Sequence, residues 1–258
     1  MSGAKFWGDQ VAGPLEQFEI HTLVPIVIGG VDISFTNSSA MMVLAAAVTG
    51  GVMLYGIGRG AMVPGRLQLI PEMLYEFIAN LIRDTIGAEG RRYFPLVLSI
   101  FLFILAGNFL GMVPYSFTFT SHIIVTFALA ITIFIGVTVL GFVKHGTHYF
   151  SLFAPPGLPK AMLPLLIPIE LMSYLVRPIS LSVRLFANMM AGHTLLKVIA
   201  SFIPLLYGGL KITGAVIGIL PLLLMTALTG LELLIALLQA YVFTILTCLY
   251  INDAVHLH

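Results

Sequence analysis

Long apolar runs separated by short polar turns make up most of this sequence. Three of these runs are about twenty residues long and contain almost no charged side chain. A helix of that length, rising 1.5 Å per residue, crosses the roughly 30 Å hydrocarbon core of a membrane. We therefore predict three upright membrane-spanning helices, over residues 38–58, 93–113 and 121–144.

Between the first two predicted spans, residues 67–87 follow a different pattern. Apolar residues such as Leu69 and Phe77 are interleaved there with charged residues such as Glu72, Glu76 and Arg83. This amphipathic spacing is typical of a helix that lies along a membrane surface or against other helices. We predict a surface helix.

Two apolar segments, 160–207 and 211–252, follow a proline-rich loop and are separated by Gly208-Gly209. Forty-odd helical residues measure roughly 60–70 Å, about twice the hydrocarbon thickness. Each segment is therefore either one steeply tilted helix or two shorter helices. Four prolines provide possible kinks in the first segment. They are Pro164, Pro168, Pro178 and Pro204.

The basic residues between the predicted spans indicate an orientation. If each long segment crosses once, Arg59, Arg66, the arginines of 83–92 and Lys144 lie on one side of the membrane. The positive-inside rule makes that side cytoplasmic, with segment 1–37 outside and the C-terminus inside. Two crossings per long segment would instead place Lys211 inside. Within 1–37 we expect a short interfacial helix around Gly13–Thr22.

Composition supports a polytopic membrane protein. The 258 residues are 59% hydrophobic and 9% charged, with a mean hydropathy of +1.05, whereas about a quarter of the residues of a soluble domain are charged. The net charge of +1 gives no basic patch for nucleic acid. The single cysteine, Cys248, rules out an internal disulfide. We expect no metal, no cofactor, no nucleotide-binding loop, and no cleavable signal or transit peptide.

One apolar run carries an unusual set of polar side chains: Glu170, Arg177, Arg184, Asn188 and His193. A charge in hydrocarbon costs several kcal/mol or more, so such residues usually serve an ion path or a partner. Glu170 and Arg177 can instead neutralise each other. Arg184 has no acid three or four residues away on its own helix. Its counter-charge must come from elsewhere.

Helical geometry divides these residues between two faces. Glu170, Arg177 and Arg184 recur every seven residues and form nearly one stripe, which Asn188 joins one turn later. His193, nine residues after Arg184, lies about 180° away. We therefore predict a polar path that reaches the arginine from behind. Sequence alone does not decide whether His193 is a relay group or an interhelical hydrogen-bonding group.

Three motifs carry a resemblance to a known family. They are Arg184-Leu-Phe-Ala-Asn188, Gly107-Asn-Phe-Leu-Gly-Met-Val-Pro-Tyr115, and Glu232 with Gln239 seven residues later. From about Phe18 to the C-terminus the sequence resembles subunit a, the proton-channel subunit of the F-type ATP synthase. The His193-then-Glu232 arrangement resembles the mitochondrial and alphaproteobacterial versions.

The resemblance implies an all-α fold with one upright span, a cytoplasmic-surface helix, two more spans and two long tilted helices against a ring of c subunits. It implies that Arg184 is the essential arginine between two offset half-channels. Asn188, His193, Glu232 and Gln239 would line or support the path from outside, and Glu170 the path on the cytoplasmic side. Arg177 is a candidate for ion-pair support.

The resemblance also implies the setting of the chain. Its partners would be the c-ring, b-type peripheral stalk subunits, the remaining ATP synthase subunits and membrane lipid. It would be a proton-translocating subunit without enzymatic activity of its own, in a bacterial inner membrane or alternatively a mitochondrial one. Two rival functions are a secondary transporter, which predicts internal repeats that are not visible here, and a purely structural membrane subunit.

The residue types suit proton transfer. Arginine keeps its proton at any relevant pH, so Arg184 cannot relay protons but can favour the ionised form of a passing carboxyl group. Histidine titrates near neutrality and burial moves a glutamate towards that range, which makes His193 and Glu232 candidate relay groups. Gln239, about 10 Å further along the face of Glu232, either extends a polar stripe or holds helices together.

Overall fold

The computed structural model describes residues 18–28, 31–32, 34–57, 65–113, 116–153 and 162–256. Within these residues the chain is mainly helical. The helices are α1 (Asn37–Ile57), α2 (Arg66–Thr85), α3 (Phe94–Gly111), α4 (Ile123–His145), α5 (Leu163–Ile217) and α6 (Ile219–Val255). There are three short 3₁₀ segments. Ala88–Tyr93 precedes α3, Phe119–Ser121 precedes α4, and Gly146–Phe153 follows α4.

Five stretches of these helices are long and apolar enough to cross a membrane. Helices α1, α3 and α4 lie over the three predicted spans. Their lipid-sized length and largely exposed apolar surface confirm the prediction of a polytopic helical membrane protein. The tilt of α5 and α6 remains a prediction.

The segment before α1 contains short strands that the sequence pattern did not predict. Strand β1 (Thr22–Val24) pairs antiparallel with β4 (Phe35–Thr36), and β2 (Val27–Ile28) pairs with β3 (Val31–Asp32). The expected interfacial helix around Gly13–Thr22 falls mostly outside the described residues, and Thr22 itself begins β1.

Asn37, the first residue of α1, holds this segment in place. Its side-chain nitrogen donates to the Glu19 carbonyl (3.1 Å) and its side-chain oxygen accepts from the His21 amide (3.2 Å). Its own amide donates to the His21 carbonyl (3.0 Å). The N-terminal segment is therefore fixed against the start of the first span.

Helix α2 has the predicted amphipathic character. Ile78 and Ile82 are buried, whereas the charged residues Glu76 and Arg83 are exposed. After it, Glu89 in the connecting 3₁₀ segment forms an ion pair with Lys144 at the end of α4 (2.5 Å). The location of α2 on the membrane surface remains a prediction.

The boundary between the two long helices differs from the prediction. The expected break at Gly208-Gly209 lies inside α5, which continues to Ile217, and the helices meet at Gly218. A glycine inside a helix costs only about 1 kcal/mol, less than leaving backbone groups unsatisfied in an apolar environment. The chain from Leu163 to Val255 forms two long helices divided at Gly218, so the alternative of two shorter helices per segment is wrong.

The core lies around α6, which packs against α3, α4 and α5. Its fully buried residues include Phe101, Ile104, Leu185 and Phe243. Asn108 of α3, buried in the same region, donates its side-chain amide to the Ala236 carbonyl of α6 (3.1 Å). This hydrogen bond links α3 directly to α6.

Candidate functional site

The structure brings His193 of α5 and Glu232 of α6 together. Nδ1 of His193 lies 3.4 Å from Oε1 of Glu232, and Glu232 is only 5% exposed. The contact depends on a close approach of the two helices at Gly192, where a Cβ atom would lie 2.6 Å from the same Oε1. A glycine at this position leaves room for the glutamate carboxyl group.

Thr118, in the segment between α3 and α4, contacts the other nitrogen of the histidine. Its hydroxyl oxygen lies 3.2 Å from Nε2 of His193. The hydroxyl also donates to the Gly111 carbonyl at the end of α3 (3.0 Å), and Thr118 is 4% exposed. Sequence reasoning missed Thr118, because its partner lies 75 residues away and no local spacing indicates the contact.

A cavity of about 800 Å³ opens onto this pair of side chains. Its wall includes His193, Glu232 and Lys197 from the long helices and Thr118 from the connecting segment. Glu19 and His21, together with Asn37, contribute from the N-terminal side. Because Glu19 and His21 are exposed and Glu232 is buried, the cavity joins a polar surface to a buried carboxyl group.

Asn188 and Gln239 form a second contact between α5 and α6. The side-chain amide of Asn188 donates to Oε1 of Gln239 (2.9 Å), and Gln239 is 1% exposed. Asn188 lies one helical turn after Arg184, on the same face of α5. The hydrogen bond between Asn188 and Gln239 therefore connects the polar residues of α6 to the face of α5 that carries Arg184.

Arg184 lies on an exposed face of α5. Its guanidinium group forms no ion pair or hydrogen bond within the described part of the chain. Its exposed neighbours on α5 are the apolar residues Val183 and Ala187, and Ser180 and Asn188 are exposed one turn away on either side. The positive charge therefore stands on an exposed surface of α5, on the helix face opposite His193.

Arg177 does not pair with Glu170, as one interpretation of the sequence expected. It donates to Asp253 of α6 (2.9 Å), and its guanidinium group lies over the rings of Tyr174 and Tyr250, 5.6 and 5.2 Å from their centres. Glu170 lies two helical turns from Arg177 along α5. Asp253 instead faces Arg177 from the neighbouring helix α6. Reasoning along a single helix could not find this partner.

Glu170 is half-buried and forms no ion pair among the residues described. The described residues also contain no group of three or more His, Cys, Asp or Glu side chains positioned to hold a metal ion. Lys197 lines the cavity beside His193. The side chain of Lys211 lies outside the described part of the structure.

Comparison with known proteins agrees with this architecture. The family model of the ATP synthase A chain matches residues 39–252. ATP synthase subunit a of Rhodospirillum rubrum is 56% identical over 245 residues, covering 95% of this chain and 99% of the relative. The subunit a of Paramagnetospirillum magneticum is 54% identical over 251 residues, covering 96% and 100%. This chain belongs to the ATP synthase subunit a family.

Proposed function

We propose that this chain is the proton-translocating stator subunit of a rotary F-type ATP synthase. Two offset half-channels would lead protons to and from a c-ring, and Arg184 would couple their flow to rotation. The guanidinium group of Arg184, exposed on α5 and without an ion pair in the part of the chain that the structure describes, is the observation that carries this proposal. Such a charge requires a counter-charge from another polypeptide.

The inlet half-channel follows from the cavity that ends at His193 and Glu232. Protons would enter between the N-terminal segment and α5, reach the buried pair, and continue past Gln239 and Asn188. His193 lies on the face of α5 opposite Arg184, whereas Asn188 shares the Arg184 face, so this route would reach the arginine from behind. A buried carboxyl group beside an imidazole is suited to exchanging protons near neutral pH.

The outlet would lie towards the start of α5, past Glu170. A ring carboxyl group would cross lipid in its neutral form, because burial of the ion is costly. It would ionise on meeting Arg184 and take up another proton beyond it. Since arginine does not release its proton, it would block direct leakage between the half-channels.

The partners in this proposal are the c-ring, b-type stalk subunits and the remaining subunits of the complex. Nucleotide chemistry would belong to those subunits, because the sequence contains no Gly-rich Lys-Ser/Thr loop. The alphaproteobacterial relatives support a bacterial inner membrane as the location.

The test is ATP-driven proton pumping in inverted membrane vesicles carrying Arg184→Ala. We expect pumping to fall to background while the complex stays assembled. Arg83→Ala is the matched control, since Arg83 is also exposed but lies on α2, and it should pump normally. Normal pumping by Arg184→Ala would refute the coupling role and favour a purely structural subunit.

A further inference from the structure

We infer that Thr118 is a positioning residue that fixes the tautomer of His193. This inference rests on the proposed relay role of His193 and Glu232. It starts from three atoms in a row: the Gly111 carbonyl oxygen, the Thr118 hydroxyl and Nε2 of His193, separated by 3.0 and 3.2 Å.

The hydroxyl group has a single proton to donate. The Gly111 carbonyl can only accept, and as the last residue of α3 it belongs to the helix end, where carbonyl groups lack intrahelical donors. Thr118 therefore donates to Gly111. Its oxygen is left to accept, so Nε2 of His193 must carry the hydrogen of that second contact.

The packing around Thr118 holds this arrangement. Thr118 is 4% exposed, and a Cβ atom at Gly111 would lie 2.6 Å from its hydroxyl oxygen. The absence of a side chain at Gly111 lets the threonine sit directly against the end of α3.

Fixing hydrogen on Nε2 leaves Nδ1 of the neutral imidazole without one. Nδ1 is the atom that faces Oε1 of Glu232, 3.4 Å away. Oε1 has no hydrogen-bond partner within the described residues, so a protonated Glu232 transfers its proton after a small rotation of its carboxyl group: the carboxyl O–H bond breaks, an Nδ1–H bond forms, and the products are a carboxylate and an imidazolium. The Nε2–H group still donates to Thr118 throughout, and the reverse step returns the proton.

The opposite tautomer would lack this ability. With hydrogen on Nδ1, the neutral imidazole has no lone pair facing the carboxyl group and cannot accept its proton. Thr118 thus keeps the pair in the form that relays. The other titratable groups at this cavity are Lys197 on α5 and Glu19 and His21 in the N-terminal segment.

The experiment compares Thr118 variants in membrane vesicles that carry the assembled ATP synthase. The soluble ATPase sector is removed before passive proton conduction is measured. Thr118→Val keeps the shape and removes the hydroxyl; Thr118→Ser keeps the hydroxyl. We expect Thr118→Val to lower passive proton conduction about fivefold, the effect of one lost hydrogen bond. We also expect the pH of half-maximal conduction to fall, because the imidazolium loses the acceptor of its Nε2–H. Thr118→Ser should behave as wild type.

Thr120→Val is the matched control. Thr120 is also buried, in the same segment, and its hydroxyl has no hydrogen-bond partner among the described residues. Thr120→Val should leave both rate and pH profile unchanged. If Thr118→Val does not assemble, Thr118→Ala, which admits water to the Gly111 carbonyl, takes its place with the same expectations.

Two results would overturn the inference. One is a wild-type rate and pH profile in Thr118→Val while Glu232→Gln slows conduction about tenfold, which would leave the proposed inlet intact. The other is equal impairment in Thr118→Ser and Thr118→Val, which would assign the effect to packing. Undiminished conduction in Glu232→Gln would instead refute the inlet, and the tautomer argument with it.

Discussion

Glycine, threonine and asparagine set the geometry of the charged side chains in this protein. Gly192 leaves space for the Glu232 carboxyl group, and Asn188 positions the Gln239 amide. Gln239 is 1% exposed, and its side-chain nitrogen has no hydrogen-bond partner in the described part of the chain. Because an unsatisfied buried polar group costs about 1–3 kcal/mol, a bound water or a transient partner is expected there.

Glu232 of α6 and Arg177 of α5 lead to different expectations for substitution. Glu232→Gln removes the only carboxyl group that touches His193 in the described residues, and we expect it to slow proton entry about tenfold. Water in the cavity limits the loss. Arg177→Gln breaks the ion pair with Asp253, which lies outside the inlet cavity, and should slow entry less. Both are measured as proton uptake driven by a potassium diffusion potential.

The comparison requires equal amounts of assembled complex in both sets of vesicles. A stronger effect of Arg177→Gln under that condition would contradict the assignment of the inlet to Glu232. The ion pair of Arg177 would then have to be part of the entry path itself.

At the scale of elements, sequence reasoning located most of the helices and misplaced their ends. Charge-free runs of about twenty residues predict α1, α3 and α4 because spanning a membrane demands length and apolarity together. The end of α5 escaped prediction because glycine is permitted within a helix as well as after one. The strands before α1 escaped it because each has only two or three residues.

The candidate site was predictable only in part, for a related reason. Unusual side chains within an apolar run identify Arg184, His193 and Glu232, since their burial cost is visible in the sequence. Thr118 and Asp253 are ordinary residues in polar or terminal positions, and only the packing of distant elements brings them to His193 and Arg177. Long-range pairing of this kind leaves no periodic signal.

The contact between α4 and the segment after it gives a prediction at this scale. A Cβ atom at Gly141 would overlap the ring of Tyr149, which is 2% exposed and contacts Tyr174 of α5 through its hydroxyl (3.1 Å). Gly141→Ala should therefore destabilise the chain by about 2 kcal/mol, the usual cost of overpacking. The measurement is the midpoint of heat-induced release of this chain from the purified complex.

Gly136→Ala is the matched control for that substitution. Gly136 lies in the same helix, and nothing stands within 4 Å of a Cβ atom there. Alanine is the better helix former by about 1 kcal/mol, so the midpoint should stay constant or rise. Equal losses in the two variants would show that close packing at Tyr149 does not limit stability.

In the whole molecule, the charged contacts indicate one side of the membrane and the cavity indicates the other. The Lys144–Glu89 and Arg177–Asp253 ion pairs, and the hydrogen bond from His145 to the Val255 carbonyl (3.2 Å), all involve the C-terminal ends of helices or the segment before α3. The cavity of the candidate inlet lies beside the N-terminal segment and the start of α1 instead. The basic side is expected to be cytoplasmic by the positive-inside rule.

This orientation can be measured with single cysteines. The one native cysteine, Cys248, is fully buried, so the background of labelling should be low, and Cys248→Ala removes it altogether. In that background we expect Leu23→Cys, on exposed strand β1, to react with a membrane-impermeant maleimide in spheroplasts. We expect His256→Cys, exposed after α6, to react only in inverted vesicles. The reverse pattern would place the cavity mouth in the cytoplasm and exchange the inlet and outlet, whereas labelling of both sites from one side would require an even number of crossings instead of five.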